Sequence, residues 1–400
     1  VPPLVLLQTS DWHVGSPLAG RGLGLTEEFR ATRREEVDAA PERFLRVARD
    51  ARPDAVLLPG DLWDAENVPP ALFRRLVEAF AALAPTPVFI APGNHDFAGT
   101  GGFYDGAFLA ALGLPGWPEN VAVFRSAAWQ SLPVPGRDDA SVTGRAFLSP
   151  LLEESRPLDP PPPRPGVPLA LLMLHGSLES YRGPDAPSGS KRTAPFSREE
   201  LLAAGFAWAA LGHHHAFDVV EASDGIAVGA YSGSPTGRGL DETGPRVFLK
   251  VTLDAEVPPK VETLQADCRQ VLDLGLDAAN RDGDALREAA LARLLEAGAT
   301  PGDVVRLTVT GRPAPGTRAM TALADLKGLV AHLILRDRSF AEQEALAGRA
   351  TAEGRFARDI EARLAAAPDA RSRRVAELAF SLGREALLGR VPGPPPLEDV

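Results

Sequence analysis

Five short clusters of acid, amide, glycine and histidine punctuate the first half of the chain: Asp11-Trp-His13, Gly60-Asp-Leu-Trp-Asp64, Gly93-Asn-His-Asp96, His175-Gly176 and Gly212-His-His-His215. They hold six of the seven histidines. The first three each begin where a short apolar run stops, which constrains the fold: the ends of several strands must meet at one rim. An α/β sheet does this, because ligands gather at the carboxyl ends of its strands. The intervening pattern agrees. Residues 4–9 read as a strand, 26–51 as a helix, 55–58 as a strand, 69–83 as a helix opened by Pro-Pro, and 87–91 as a short buried strand.

From about residue 121 the pattern shifts to short strands with turn residues (121–124, 141–145, 169–174, 208–211, 246–253), which predicts a second, mixed sheet. The proline run within 157–168 reads as a stiff surface loop. Beyond residue 253 the histidine clusters cease and only His332, on a predicted helix, remains. The predicted organisation is therefore a core over 1–256, a small α/β domain over 257–336 and a helical region over 337–400. The small domain reads strand, helix 284–297, strand 303–310, helix 321–332, strand. The helical region reads as two helices broken near Pro368, with a disordered tail over 392–400.

Composition narrows the function classes. The formal charge of -11 argues against a generally basic nucleic-acid coat, since nonspecific affinity comes from Lys and Arg neutralising phosphates. Part of that acidity lies at candidate cation sites, where bound metal would offset it. With Cys268 alone, neither an internal disulfide nor a cysteine-rich zinc module is possible, as expected in a reducing compartment. No apolar run approaches the roughly 20 residues that span a bilayer, and the first residues lack the basic start of a signal peptide. A cytoplasmic location without membrane contact is expected.

Imidazole nitrogens mixed with carboxylate and amide oxygens suit borderline ions, manganese above all, with iron or zinc as alternatives. Asp11 and His13 alternate along a strand, so they meet at one ion only if the backbone turns there; Gly15 and Ser16 follow. Asp61, after Gly60, is the candidate bridge, one oxygen to each of two ions. Asn94 offers a neutral oxygen, and His175, His213 and His215 complete the set. Two ions about 3.5–4 Å apart clamp a phosphate and lower the pKa of a water. His95 is the candidate general acid for the leaving group, with Asp96 expected to orient its ring, and Asp64 is expected to fix a ligand or a water from behind. His214 is expected to face away.

These blocks resemble the calcineurin-type metallophosphoesterases, whose pattern is DxH, GDxxD, GNHD, H and GHxH. The resemblance implies a two-sheet metallophosphoesterase sandwich flanked by helices. It places Asp11, His13, Asp61 and His215 at one metal, and Asp61, Asn94, His175 and His213 at the other. Within that superfamily, Gln8-Thr-Ser-Asp-Trp-His13, the arginine-rich stretch from Arg30 and Tyr231-Ser-Gly-Ser-Pro235 resemble SbcD-type DNA repair nucleases, and Gly237-Arg-Gly with Glu242-Thr-Gly244 resemble a YhaO-like bacterial branch. This implies an exonuclease acting on DNA with an SbcC-like coiled-coil ATPase, a small capping α/β domain, C-terminal partner-binding helices, and a possible homodimer. Some relatives carry histidine at the position of Asp64. Expected DNA contacts are Arg30, Arg33, Arg34, Lys191, Arg192, Ser232 and Ser234. Two other functions compete: a phosphodiesterase for small nucleotides or other small diesters, and a noncatalytic partner-binding subunit.

Overall fold

The computed structural model describes residues 2–18, 24–64, 68–150, 155–184, 192–339 and 346–387. The chain divides into two compact units, Val1–Gln270 and Val271–Val400.

In the first unit, β1 (Leu4–Gln8), β2 (Ala55–Leu58), β3 (Val88–Ile90) and β4 (Val121–Val123) run parallel, β11 (Val247–Leu253) pairs antiparallel with β1, and β12 (Lys260–Gln265) pairs antiparallel with β11 at the edge. A second six-stranded sheet has the order β5 (Gln130–Pro133), β6 (Ala140–Gly144), β7 (Leu169–His175), β8 (Trp208–Gly212), β10 (Ala227–Tyr231), β9 (Asp218–Glu221). Its four inner strands are parallel and both edge strands antiparallel, a mixed sheet as the turn-rich pattern implied. Leu6, Leu57 and Phe89 of one sheet share an apolar core with Val142, Leu171, Met173 and Trp208 of the other. Fully burying such side chains contributes about 1.5–3 kcal/mol each.

Helix α1 (Glu27–Asp38) leads into α2 (Ala40–Ala51), and α2 and α3 (Pro70–Ala81) pack on the outer side of the first sheet, where Phe44, Phe73 and Phe80 meet Trp12 and Trp63. A shorter α4 (Gly106–Ala111) follows, and α5 (Arg198–Ala204), opened by a Ser197/Glu200 capping box, packs on the second sheet. Three expectations change. The single helix over 26–51 is two, because a new helix begins beyond Ala39 with a proline in its first turn. The strands expected at 121–124 and 246–253 join the first sheet rather than the second. The core also extends past 256, since β12 pairs with β11 along its length and the boundary falls at 270.

In the second unit, β13 (Val271–Asp277), β14 (Val304–Thr310) and β15 (His332–Asp337) form a parallel sheet. Helix α6 (Gly283–Glu296) and the short α7 (Ala319–Ala322) share its apolar core. The helix expected at 321–332 is instead α7, a 3-10 turn over Ala324–Gly328 and the start of β15, so His332 opens a strand beside Val304. Gly328 in the middle of the expected span weakens a helix there. Two further helices, α8 (Ala352–Ala365) and α9 (Ala370–Leu387), lie either side of Pro368 and pack on each other through a stacked Phe356–Phe380 pair. Residues 392–400 lie outside the described residues.

Candidate functional site

The carboxyl ends of β1, β2, β3, β7 and β8 bring the five clusters together. What lets each side chain turn inward is a left-handed backbone: Asp11 (φ 53°), His13 (φ 48°) and Asp61 (φ 53°) are all non-glycine residues at positive φ, with His213 at 107°. Each such conformation costs on the order of 1–3 kcal/mol and persists only where its surroundings impose it. Here the two loops impose it on each other. Asp11 N donates to Gly60 O (3.0 Å) and His13 N to Asp61 O (3.1 Å), continuing the β1–β2 pairing past the strand ends. Two glycines permit the close approach. A Cβ on Gly93 would stand 2.3 Å from Asp61 Oδ1, and one on Gly212 would stand 1.9 Å from the Pro59 carbonyl.

At one end of the site, His13 Nε2 faces His215 Nε2 at 3.3 Å, with Asp11 completing the group. The far nitrogen of each ring lies on a carboxylate: His13 Nδ1 on Asp64 Oδ1 (2.8 Å) and His215 Nδ1 on Glu242 Oε1 (2.9 Å). At the other end, His175 Nε2 lies 3.3 Å from Asp61 Oδ2 and 3.2 Å from Asn94 Oδ1, while its Nδ1 meets the Pro59 carbonyl (3.0 Å). The His213 ring lies 5.3 Å from that of His175. Asp61 spans both ends, 3.9 Å from His13 Nε2.

The donor chemistry fits cations. An imidazole that donates Nδ1–H to an oxygen presents a bare lone pair at Nε2. His13 Nε2 then points a lone pair at His215, and His175 Nε2 points one at two oxygens. Either a proton or a metal ion has to lie between such groups. Electrostatics agree: burial and the Arg238 charge push the His13 pKa down to about 3, and burial with the neighbouring His175 depresses that of His213, so both are neutral donors. Burial opposes a charge on His175, yet Asp61 and Asp11 hold its pKa up at about 9. The field that keeps that proton also attracts a divalent cation. Burial raises Asp11 to about 6, whereas Asp61 is held well below the usual range, its burial outweighed by His175 and His13.

His95 lies at the edge of these groups, its ring 4.8 Å from that of His13, and with His13 and Asp64 it forms a further trio whose atoms could hold a cation. Its side chain is 49% exposed, its backbone N donates to Asp61 Oδ1 (2.9 Å), and its Nδ1 lies 3.1 Å from Asp64 Oδ1. That contact raises the His95 pKa. Asp64 therefore meets both His13 and His95, and despite burial its own pKa is lowered by those two rings. The expectation that Asp96 orients His95 is corrected. Asp96 is buried, and its two oxygens accept from Gly93 N (2.7 Å), Asp61 N (3.0 Å), Leu62 N (2.9 Å) and Tyr104 Oη (2.8 Å), tying two loops together. Burial and the Asp61 charge push it up to about 6.

The expected DNA contacts divide. Arg33 is 1% exposed, with its guanidinium on Gly237 O and Asp267, so it cannot meet DNA. Ser232 and Ser234 are likewise buried: Ser232 Oγ accepts from Ser10 N (3.0 Å), and Ser234 donates to Thr236 O (3.0 Å). Arg30 and Arg34 are partly exposed and pair with Glu27; Arg192 is half-buried. Lys191 lies outside the described residues. His214 stacks on Tyr181 (3.7 Å between centroids, 10°), with the His213 ring 5.3 Å away. Sequence reasoning missed Glu242 and Arg238 as partners of His215. Opposite charges four residues apart in a glycine-rich stretch were the available signal.

Residues 4–217 match the calcineurin-like phosphoesterase family. The chain belongs to that family. The family is one of metal-dependent phosphoester hydrolases, and its divalent metals have a fitting donor set in the clusters above. Among curated proteins, the chain is 29% identical over 258 residues to the uncharacterized metallophosphoesterase YhaO of Bacillus subtilis, covering 62% of this chain and 57% of that protein. It is 34% identical over 95 residues to the SbcD component of the nuclease SbcCD of Bacillus subtilis (23% and 22% covered). It is also 37% identical over 93 residues to the DNA double-strand break repair protein Mre11 of Aeropyrum pernix (23% and 20% covered). The chain spans little more than half the length of the first of these relatives and about a fifth of the others. No helix among the described residues is long and apolar enough to cross a membrane.

Proposed function

We propose that this phosphoesterase is a manganese-dependent DNA nuclease working from strand ends, in repair or end processing, with a coiled-coil ATPase partner. The observation that carries the reading is a family site whose clusters meet at one rim, joined to local likeness to two DNA-processing proteins, SbcD and Mre11. In this reading Asp11, His13, Asp61 and His215 hold one ion, and Asp61, Asn94, His175 and His213 the other. When bound, the ions clamp the phosphate and make a water nucleophilic near neutral pH. His95 supplies the remaining step. With Nδ1–H given to Asp64, its Nε2 carries the proton that passes to the leaving oxygen, and its exposure lets it meet a polymer. Asp64 acts through the rings of His13 and His95 and not on the phosphate, so its replacing a histidine found in some relatives is no obstacle. The second unit, an α/β module and a helix pair, offers the surface for a capping and partner-binding role. Arg30, Arg34 and Arg192 are the proposed phosphate contacts.

The test is direct. Purified protein with Mn2+ is offered end-labelled duplex and single-stranded DNA beside a chromogenic small diester, with His95→Ala and Asp61→Ala as controls. Metal-dependent shortening of labelled DNA, abolished by both substitutions, is expected. Cleavage of the diester without any DNA cleavage under Mn2+, Fe2+ or Zn2+ would remove the nuclease and leave a small-diester phosphoesterase. Copurification with a coiled-coil ATPase that Asp61→Ala leaves functionally unaltered would point to a scaffold.

A further inference from the structure

The loop between β10 and β11 closes over the back of His215, and none of the five clusters accounts for it. It is pinned from two sides. Gly237 N donates to Asp267 (2.9 Å), Arg33 of α1 donates to Gly237 O, and Arg43 of α2 reaches Thr236 Oγ1 (3.2 Å). The loop delivers Arg238 and Glu242, both buried, to one nitrogen. Glu242 Oε2 accepts from Arg238 N (2.8 Å) and Nε (3.1 Å), and its Oε1 accepts from Arg238 Nη2 while standing 2.9 Å from His215 Nδ1. Arg238 Nη2 stands 3.1 Å from the same Nδ1. Arg238 Nη1, also buried, has no hydrogen-bond partner among the described residues.

Stability does not explain this arrangement. Desolvating a charge pair costs about as much as the attraction returns, so a buried ion pair is weak support for a fold. What the pair does is hold an imidazole in either of two states. With its proton on Nδ1, His215 donates to Glu242 and turns a lone pair from Nε2 towards the space it shares with His13 and Asp11. With its proton on Nε2, Nδ1 accepts from Arg238, and Nε2–H donates across 3.3 Å to His13 Nε2. A cation selects the first state. A carboxylate behind the ring favours that state and strengthens the ligand.

We propose that Glu242, braced by Arg238, is the positioning residue that makes His215 a metal ligand, and that the pair governs retention of one of the two ions without touching substrate. This rests on the metal site and not on DNA as substrate, so it stands or falls independently of the nuclease reading. The test uses the whole chain, stripped with chelator and titrated with Mn2+ while free ion is counted by electron paramagnetic resonance. Wild type is expected to take two equivalents. In Glu242→Ala one of them binds about 10–100-fold more weakly while the other is unchanged, and Glu242→Gln, which keeps an acceptor, loses less. Circular dichroism of the stripped proteins reports folding separately. If Glu242→Ala unfolds, the double variant Arg238→Met/Glu242→Leu takes its place, because apolar side chains of similar volume often replace a buried pair without loss. It too is expected to lose one equivalent selectively. Wild-type retention of both ions in any folded variant overturns the proposal, as does equal weakening of both. Failure of the double variant to fold also overturns it, by assigning the pair to folding.

Discussion

The two ends of the site use the same ring chemistry but are backed differently. Behind His13 and His215 stand carboxylates, Asp64 and Glu242. Behind His175 stands the neutral Pro59 carbonyl. A carboxylate behind an imidazole raises its basicity relative to a neutral carbonyl in like surroundings, and outer partners of this kind govern metal affinity and activity; at His13 burial and Arg238 oppose that gain, whereas Asp61 and Asp11 support a charge on His175. The difference teaches that the five clusters mark the two ends alike, and the proposed difference in how firmly each holds an ion lies in what stands behind them. Asp61 and Asp11 each reach both.

That asymmetry can be broken in order of size. Asp61→Ala removes the shared oxygen and is expected to abolish metal-dependent hydrolysis and empty both ends, read by metal analysis and a diester assay. His95→Gln removes none of the proposed ligands of either ion, so hydrolysis should fall by about 10²–10⁴ in kcat with bound metal unchanged. Asp64→Ala is expected to split its effect. The His13 end weakens about 10–100-fold in Mn2+ titration, the His175 end does not, and kcat falls less than in His95→Gln because the acid remains. Ser232→Ala is the smallest change. It removes a buried hydrogen bond behind Asp11 and should cost about 1 kcal/mol in denaturant unfolding, with DNA affinity unchanged.

How much of this the sequence displays follows from how local each cause is. The strand-end clusters are legible because alternation of apolar runs and turn residues is a local signal, and so is the requirement that the chain turn at Asp11 and His13. The role of Asp96 is illegible for the opposite reason. Its neighbour along the chain is His95, but its oxygens point back to Leu62 and Gly93, whereas His95 finds Asp64 across the rim. Arg33 reads as a surface cation on an arginine-rich helix, yet the face it lies on is set by the loop it pins, far away in sequence. Glu242 and Arg238 fall outside the clusters altogether. The helix expected at 321–332 gives way because a short apolar stretch with Gly328 carries no caps, and pairing with β14 decides in favour of a strand from His332.

Equilibrium binding of Mn2+ to the stripped whole chain tests most directly the proposal that one rim gathers two cations through Asp61. Two bound equivalents are predicted in the wild-type protein, with hydrolysis that returns as they bind, and neither binding nor hydrolysis in Asp61→Ala. A single equivalent in the wild-type protein, or undiminished hydrolysis after complete chelation, would contradict it.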